Sequence, residues 1–502
     1  MLRKYIYHFI QASALLAAVV TVSFLSLNLQ TLMSEESPSL SQIALIIVRI
    51  VLILFFLTVS AGVFNEIFAK ILNDDSSQFV SLSSFLTTKK ETLYKIFIHW
   101  GGLFLIISMF SFNWISYDMG LIFTQIIGMT DLYIFLLVAF LLLFQKQILR
   151  LEVLILLAAS ILILLYSKSQ GYGIIATVTG YKNYFTVIWL FIFFKYFRFK
   201  NETIKHYVNL ITIIILIQLP VQIFQFIILR DAESASGTFG FHQTGVLGIF
   251  MTGAVLYILT LKKFTKQNLL LIFYLSLTPL IGSTKIFFLI NFFLVPFILF
   301  RRVKMKPSYK IALIILLSII FVGILQLNRV WYEDYRTEGL NPFYYFSSKY
   351  LGSFVAVNPS TLNRGGAVIW TFSRLKDENK LFMGRGVGWR RSLPRSQLER
   401  FTRLTINYDI PMTFILSGIL GVLVFLYLAY SLFKVRIRVK IASPELKFFI
   451  LCLVLLYVVG GFYTQGWISK TTGYCFAMLI GILSNKFNKK FFIEKYFMSE
   501  KK

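Results

Sequence analysis

The sequence is poor in most of what water-soluble chemistry uses. It holds 2 cysteines and 4 histidines in 502 residues, and 14% of its residues are charged. Cys452 and Cys475 both sit in apolar runs, where a thiol behaves as a small hydrophobe, so neither a disulfide framework nor a zinc spacing is present. The histidines are dispersed and no HExxH occurs, which argues against a protein-held zinc. No GxxxxGK[ST] loop occurs, which argues against a pump driven by bound ATP. Acidic residues are scarce, 22 Asp and Glu against 50 Lys and Arg. Outside the membrane no pair of Asp residues at one-residue spacing is expected, so metal-assisted use of a nucleotide sugar is disfavoured; NDDSS falls on the cytoplasmic side in the topology below. Internal repeats, Pro-rich linkers and low-complexity tails are missing too, so nothing marks a second soluble domain.

What remains is apolar. A hydrophobic share of 57% overrides the domain count that length alone gives, and the expected fold class is an all-α polytopic membrane protein. About 12–14 runs are long enough to cross a bilayer, at roughly twenty residues each. Their centres lie near Val19, Ile53, Phe104, Phe140, Leu156, Trp189, Ile214, Ala254, Phe273, Phe292, Leu317, Val422, Val454 and Met478. The first run follows MLRK like a signal peptide, but it lacks a small-residue cleavage site and reads as a retained helix.

The net charge of +28 is spread in short clusters between apolar runs rather than gathered in a basic domain. That is the pattern of cytoplasmic loops beside anionic lipid, and it excludes nucleic acid as a partner. With Arg3 and Lys4 inside, alternation places Lys89 and Lys90, Lys146 and Arg150, FKYFRFK, KKFTK, RRVKMK, KVRIRVK and NKFNKK inside as well. Both termini are then on the cytoplasmic side of the cytoplasmic (inner) membrane. Residues 1–327 form an N-terminal helix bundle of about eleven spans, 328–410 an extracytoplasmic loop, and 411–502 the C-terminal helices with a basic cytoplasmic tail.

The loop is where chemistry has room. Residues 328–409 carry thirteen Lys and Arg against seven Asp and Glu, a net +6, in a segment with no spanning run. Arg364 and Arg374 flank Trp370, and Arg385 lies in MGRGVGWRR. A guanidinium offers a planar fork of donors that suits phosphate oxygens, and several suit a pyrophosphate. AVIWTFSRL has the spacing of an amphipathic helix with Val368, Phe372 and Leu375 on one face. GRGVG lacks the strand and helix flanks of a nucleotide fingerprint. Two further outer groups are LRDAESASGTFGFHQTG, with Arg230, Asp231, Glu233 and His242, and IGSTK, where Lys285 interrupts an apolar run. An ionisable residue there faces a cavity or snorkels. The structural alternatives are a flexible turn, a snorkelling lysine and a solvated basic face.

Taken in order, SGTFGFHQTGVLG, GSTK before an apolar span, NRGGAVIWTFSRLKDENKLFMGRGVG and NYDIPMTFILSGILG resemble the O-antigen polymerase and ligase superfamily of bacterial surface polysaccharide assembly. The resemblance covers roughly residues 228 to 425. It implies a fold similar to the C-type membrane glycosyltransferases and transfer of a glycan from undecaprenyl pyrophosphate to an acceptor hydroxyl, without metal or other cofactor. It also implies that Arg230, Lys285 and Arg364 contact the pyrophosphate, with Arg374 and Arg385 nearby. For the base that takes the hydroxyl proton, Asp409 comes first, with Glu399 and His242 behind it. Family ligases carry a His-Asn pair where this chain has Asn407, Tyr408 and Asp409, which favours a polymerase over a ligase. Implied partners are the lipid-linked oligosaccharide, membrane lipid, a chain-length regulator and a flippase. A flippase or solute carrier is the rival reading from another class; the long outer loop and the lack of two related halves speak against it.

Overall fold

The computed structural model describes residues 94–119, 151–229, 235–239, 243–263, 265–281, 364–392, 409–438, 444–463, 472–485 and 487–497, with single positions between them such as Asp131 and Trp467. The chain divides into two compact units, Met1–Thr92 with Asp118–Thr124, and Leu93–Tyr117 with Gln125–Lys502. The second holds every element that follows, apart from the last two residues of the first helix. Among the described residues every regular element is helical. The longer α-helices, in chain order, are α1 (Gly101–Met119), α2 (Leu151–Ser169), α3 (Ile174–Tyr196), α4 (Asn201–Leu229), α5 (Thr244–Leu261) and α6 (Lys266–Ile281). Then come α7 (Arg364–Asp377), α8 (Asp409–Arg438), α9 (Pro444–Tyr463), α10 (Thr472–Ser484) and α11 (Lys489–Phe497).

Helices α2, α4, α5, α8 and α9 are long and apolar enough to cross a membrane, so the protein is a polytopic membrane protein. The expected centres at Val19, Ile53, Phe140, Phe292 and Leu317 lie outside the described residues. Exposure confirms the solvent each helix is built for. On α2 the side chains of Leu151, Leu154, Ile155, Leu157, Ile161, Leu162 and Leu165 point outward. An apolar face that wide belongs in hydrocarbon, not in water.

Helix α3 is the opposite case. Its run YFTVIWLFIFF, residues 184–194, is buried on every side, as a helix apolar all round must be. It packs most extensively on α10, where Gly481 lies against Phe194 and a side chain would not fit. Asparagines close its far end. Asn485 Nδ2 donates to the carbonyls of Phe194 and Phe197, at 2.7 and 2.6 Å. These carbonyls are among those that every helix C-terminus leaves without an internal partner.

The bundle therefore has two dissimilar ends. One gathers Lys195, Arg198, Lys200 and the asparagine caps beside α11. The other gathers the start of α8, the Trp467 turn, the end of α2 and the loop segment 364–392. The amphipathic helix expected around Trp370 is α7, which packs on α8 and α9. Its buried side chains are Ala367, Thr371 and Leu375, four residues apart, with Gly366 buried beside the first. The face expected from Val368 and Phe372 is thus rotated by one residue, because small Ala367 and Thr371 allow closer helix contact. Phe372 stays half exposed and meets Phe414 edge-on at 6.2 Å.

Candidate functional site

The loop end is organised by a break in α8. Gly418 has φ +60 and ψ −153 inside an otherwise helical run, a conformation strained for any residue with a Cβ. The loop fills the gap with its own backbone. Ile419 and Leu420 N–H donate to the carbonyls of Leu381 and Phe382 at 3.0 and 3.2 Å. In return, Arg385 and Gly386 N–H donate to Ile415 and Leu416 at 2.6 and 3.0 Å. Gly384, at φ +69, sits against the Ser417 and Gly418 nitrogens with no space for a Cβ. Irregular backbone at membrane depth survives only where protein supplies its partners, and here two chain segments supply each other's.

GRGVG is therefore a docking element. Tyr166 O–H donates to the Gly384 carbonyl at 3.0 Å, and Gly388 N–H to Ser167 Oγ at 3.1 Å. The Arg385 guanidinium is paired with Glu378 and lies 5.0 Å above the Trp389 ring. Arg374 Nε reaches the same carboxylate at 2.9 Å. Partial burial pushes the Glu378 carboxyl up, but hydrogen bonds from Arg385 and Arg374 outweigh it and hold it below the usual carboxylate range. Next along the loop, exposed Arg390 donates to Tyr184 Oη at 3.1 Å.

Beneath this loop the bundle is polar. Asp131 is fully buried and accepts Tyr474 O–H at 2.6 Å, while Lys182 Nζ lies 3.2 Å from its other oxygen. Lys182 and Tyr184 share one turn of α3, so this ion pair and the Arg390 contact are neighbours. Asp409 opens α8, fully buried, and its carboxylate accepts the Trp467 N–H. An acid in a first turn also meets the positive end of the helix dipole. The contact ties α8 to the α9–α10 connection.

A second irregular segment is the turn Ala235–Phe239, part of an expected outer group. All five residues are buried, and Phe239 meets Phe110 at 5.5 Å and Phe250 at 5.7 Å, alongside the interior of α5. Three buried glutamines of α4 satisfy it. Gln218 exchanges two bonds with Thr238, at 2.7 and 2.9 Å. Gln222 Nε2 donates to Ala235 O at 2.8 Å and to Thr278 O of α6 at 3.0 Å. Gln225 Nε2 donates to Gly237 O at 2.8 Å.

Of the residues singled out by sequence, Asp409, Arg374, Arg385 and the backbone of Arg364 belong to this end. Arg230, His242, Lys285 and Glu399 lie outside the described residues. Asp131, Lys182 and the glutamine row went unnoticed in the sequence. The rule that picks out Lys285 applies equally to a charge within MTDLYIF or GYKNYF. Among the described residues no three His, Cys, Asp or Glu group as metal ligands do.

Fold and site together define an all-helical, multi-pass membrane protein with a basic loop segment locked onto a polar bundle end. No model of a known protein family matches the chain, and no curated protein matches it.

Proposed function

We propose that the protein is a membrane glycosyltransferase that polymerises undecaprenyl-pyrophosphate-linked oligosaccharide repeat units into a surface polysaccharide. One observation carries the reading. A segment rich in arginine is fixed, by backbone bonds, over a bundle end that holds a buried carboxylate–lysine pair. Lipid-linked pyrophosphate needs such a place, with its tail among apolar helices and its charge among fixed cations. The resemblance of residues 228 to 425 to the polymerase and ligase superfamily supports the same class, as does the topology that puts this loop outside.

In the reaction an acceptor hydroxyl oxygen attacks the anomeric carbon. The bond to pyrophosphate breaks, and undecaprenyl pyrophosphate leaves with the electron pair. Arg364, Arg374, Arg385, Arg230 and Lys285 are the cations assigned to that charge. Of these, Arg385 reaches it as half of a clasp with Glu378, so its first task is to hold the loop. Asp409 takes the hydroxyl proton, or positions Glu399 or His242 to do so. Its bond to Trp467 N–H favours the positioning role.

The test is a deletion strain, with surface glycan run as a ladder and the lipid-linked pool read by mass spectrometry. Accumulation of single repeat units on the outer face, with no long chains, is the expected outcome. Long lipid-linked chains lacking their final acceptor would make the protein a ligase. Single units trapped inside would make it a flippase, and an unaltered glycan would sink the reading. Polymerisation in vitro should also persist in excess chelator.

A further inference from the structure

The opposite end of the bundle carries a cleft of about 800 Å³ between the α3–α4 link and α11. From the arrangement of its walls we infer that it binds a phosphate group, presented by an anionic phospholipid headgroup or by a soluble phosphoester. The inference does not rest on the glycosyl-transfer reading.

The first wall is extended chain. Phe197 and Phe199 are buried while Arg198 and Lys200 are exposed, the alternation that extended backbone imposes. Both cations therefore project to one side, roughly 7 Å apart along the chain. The wall is fixed in place. Phe199 N–H donates to Asn488 Oδ1 at 2.9 Å, and Asn488 Nδ2 donates to Phe199 O at 2.8 Å. The second wall brings Lys490 from α11, with Phe487 and Phe491 as an apolar shoulder.

The charges favour an anion that comes from outside. Among the described residues Arg198 is paired with no carboxylate, and its guanidinium lies 5.8 Å over the Phe487 ring. Lys490 has Glu494 at 4.0 Å, with both side chains mostly exposed. A pair so long and so wet contributes little and is readily displaced. Glu202 and Glu494 also line the cleft and leave its three cations in excess by one, which suits a single phosphodiester. The half-exposed Phe487 beside the cations fits the glycerol and first methylenes of a lipid better than bulk water.

The test uses the full chain, purified in detergent and titrated with phosphatidylglycerol or with phosphatidylcholine of the same acyl length. Retention is followed by native mass spectrometry. At about fivefold per cation, Arg198→Gln, Lys200→Gln and Lys490→Gln together should weaken phosphatidylglycerol retention roughly a hundredfold. Glu494→Gln should strengthen it several-fold, and it keeps every cation should the triple variant fail to fold. Competition by millimolar inorganic phosphate would assign the site to a soluble phosphoester, and its absence to the lipid; either sustains the inference. Equal retention of the two lipids overturns it. So does a folded triple variant that binds normally, or a Glu494→Gln variant that binds no better.

Discussion

The two ends of this bundle solve the same problem in different ways. At the basic end, helices stop in ordinary fashion, asparagine side chains cap the loose carbonyls, and Arg198, Lys200 and Lys490 are exposed. At the loop end, a broken helix, a buried turn and a docked loop leave much of the backbone irregular, and other protein groups satisfy it. Capping with side chains is cheap and tolerant. Backbone locked to backbone tolerates little, and it holds nearby side chains in fixed places. A protein keeps so exacting an arrangement where position matters.

Several substitutions would sharpen or break that contrast. Gly418→Ala should have the largest effect, because the new Cβ meets the Leu381 and Phe382 carbonyls at a positive φ. The loss should be roughly 3 kcal/mol or more, seen as a lower melting temperature in detergent. Gly253→Ala, whose Cβ would touch Leu456 at an ordinary 3.6 Å, should be close to neutral. Equal tolerance at both positions would dissolve the contrast.

Next is Lys182→Met, which leaves the buried Asp131 carboxylate without its cation. A cost of about 3 kcal/mol is expected, recovered in large part by adding Asp131→Asn. A double-mutant cycle in melting temperature measures the coupling, and additive effects would mean that the pair is solvated. Gln222→Leu comes third. It strands the Ala235 and Thr278 carbonyls, at about 1–3 kcal/mol, and should speed protease cleavage at residues 235–239.

The smallest effect expected is on the Glu378 clasp. The carboxyl is held below its free value of about 4.3, so the clasp adds stability above that pH and loses it as pH falls through the depressed folded value. Protection of residues 378–392 in limited proteolysis should hold at neutral pH and fail once the pH has fallen through that depressed value. Glu378→Gln should remove this acid transition. A transition that persists would have another carboxylate as its source.

How much of this was legible beforehand depends on the range of the interaction. Local signals read well. YFTVIWLFIFF announces a central helix, the spacing in AVIWTFSRL places α7, and only the small residues at 367 and 371 turn its face. The Gln218, Gln222 and Gln225 row has helical spacing and stands out on an apolar helix, so it could have been found. GRGVG could not be read as a docking element, because its partners at 415–420 are distant in the chain and interact through backbone atoms. Backbone groups are the same in every residue, so sequence carries no mark of which carbonyl meets which N–H.

The break at Gly418 also sets an order of assembly. Residues 381–386 leave the ribosome before α8 does, yet their partners at 415–420 belong to that later helix. The loop must wait until α8 has entered the membrane. Until then, the amides of Ile419 and Leu420 lie in a half-finished helix whose only other recourse is water. Closure of the loop is therefore the step that completes α8 after its insertion, and it comes late in the biogenesis of this protein.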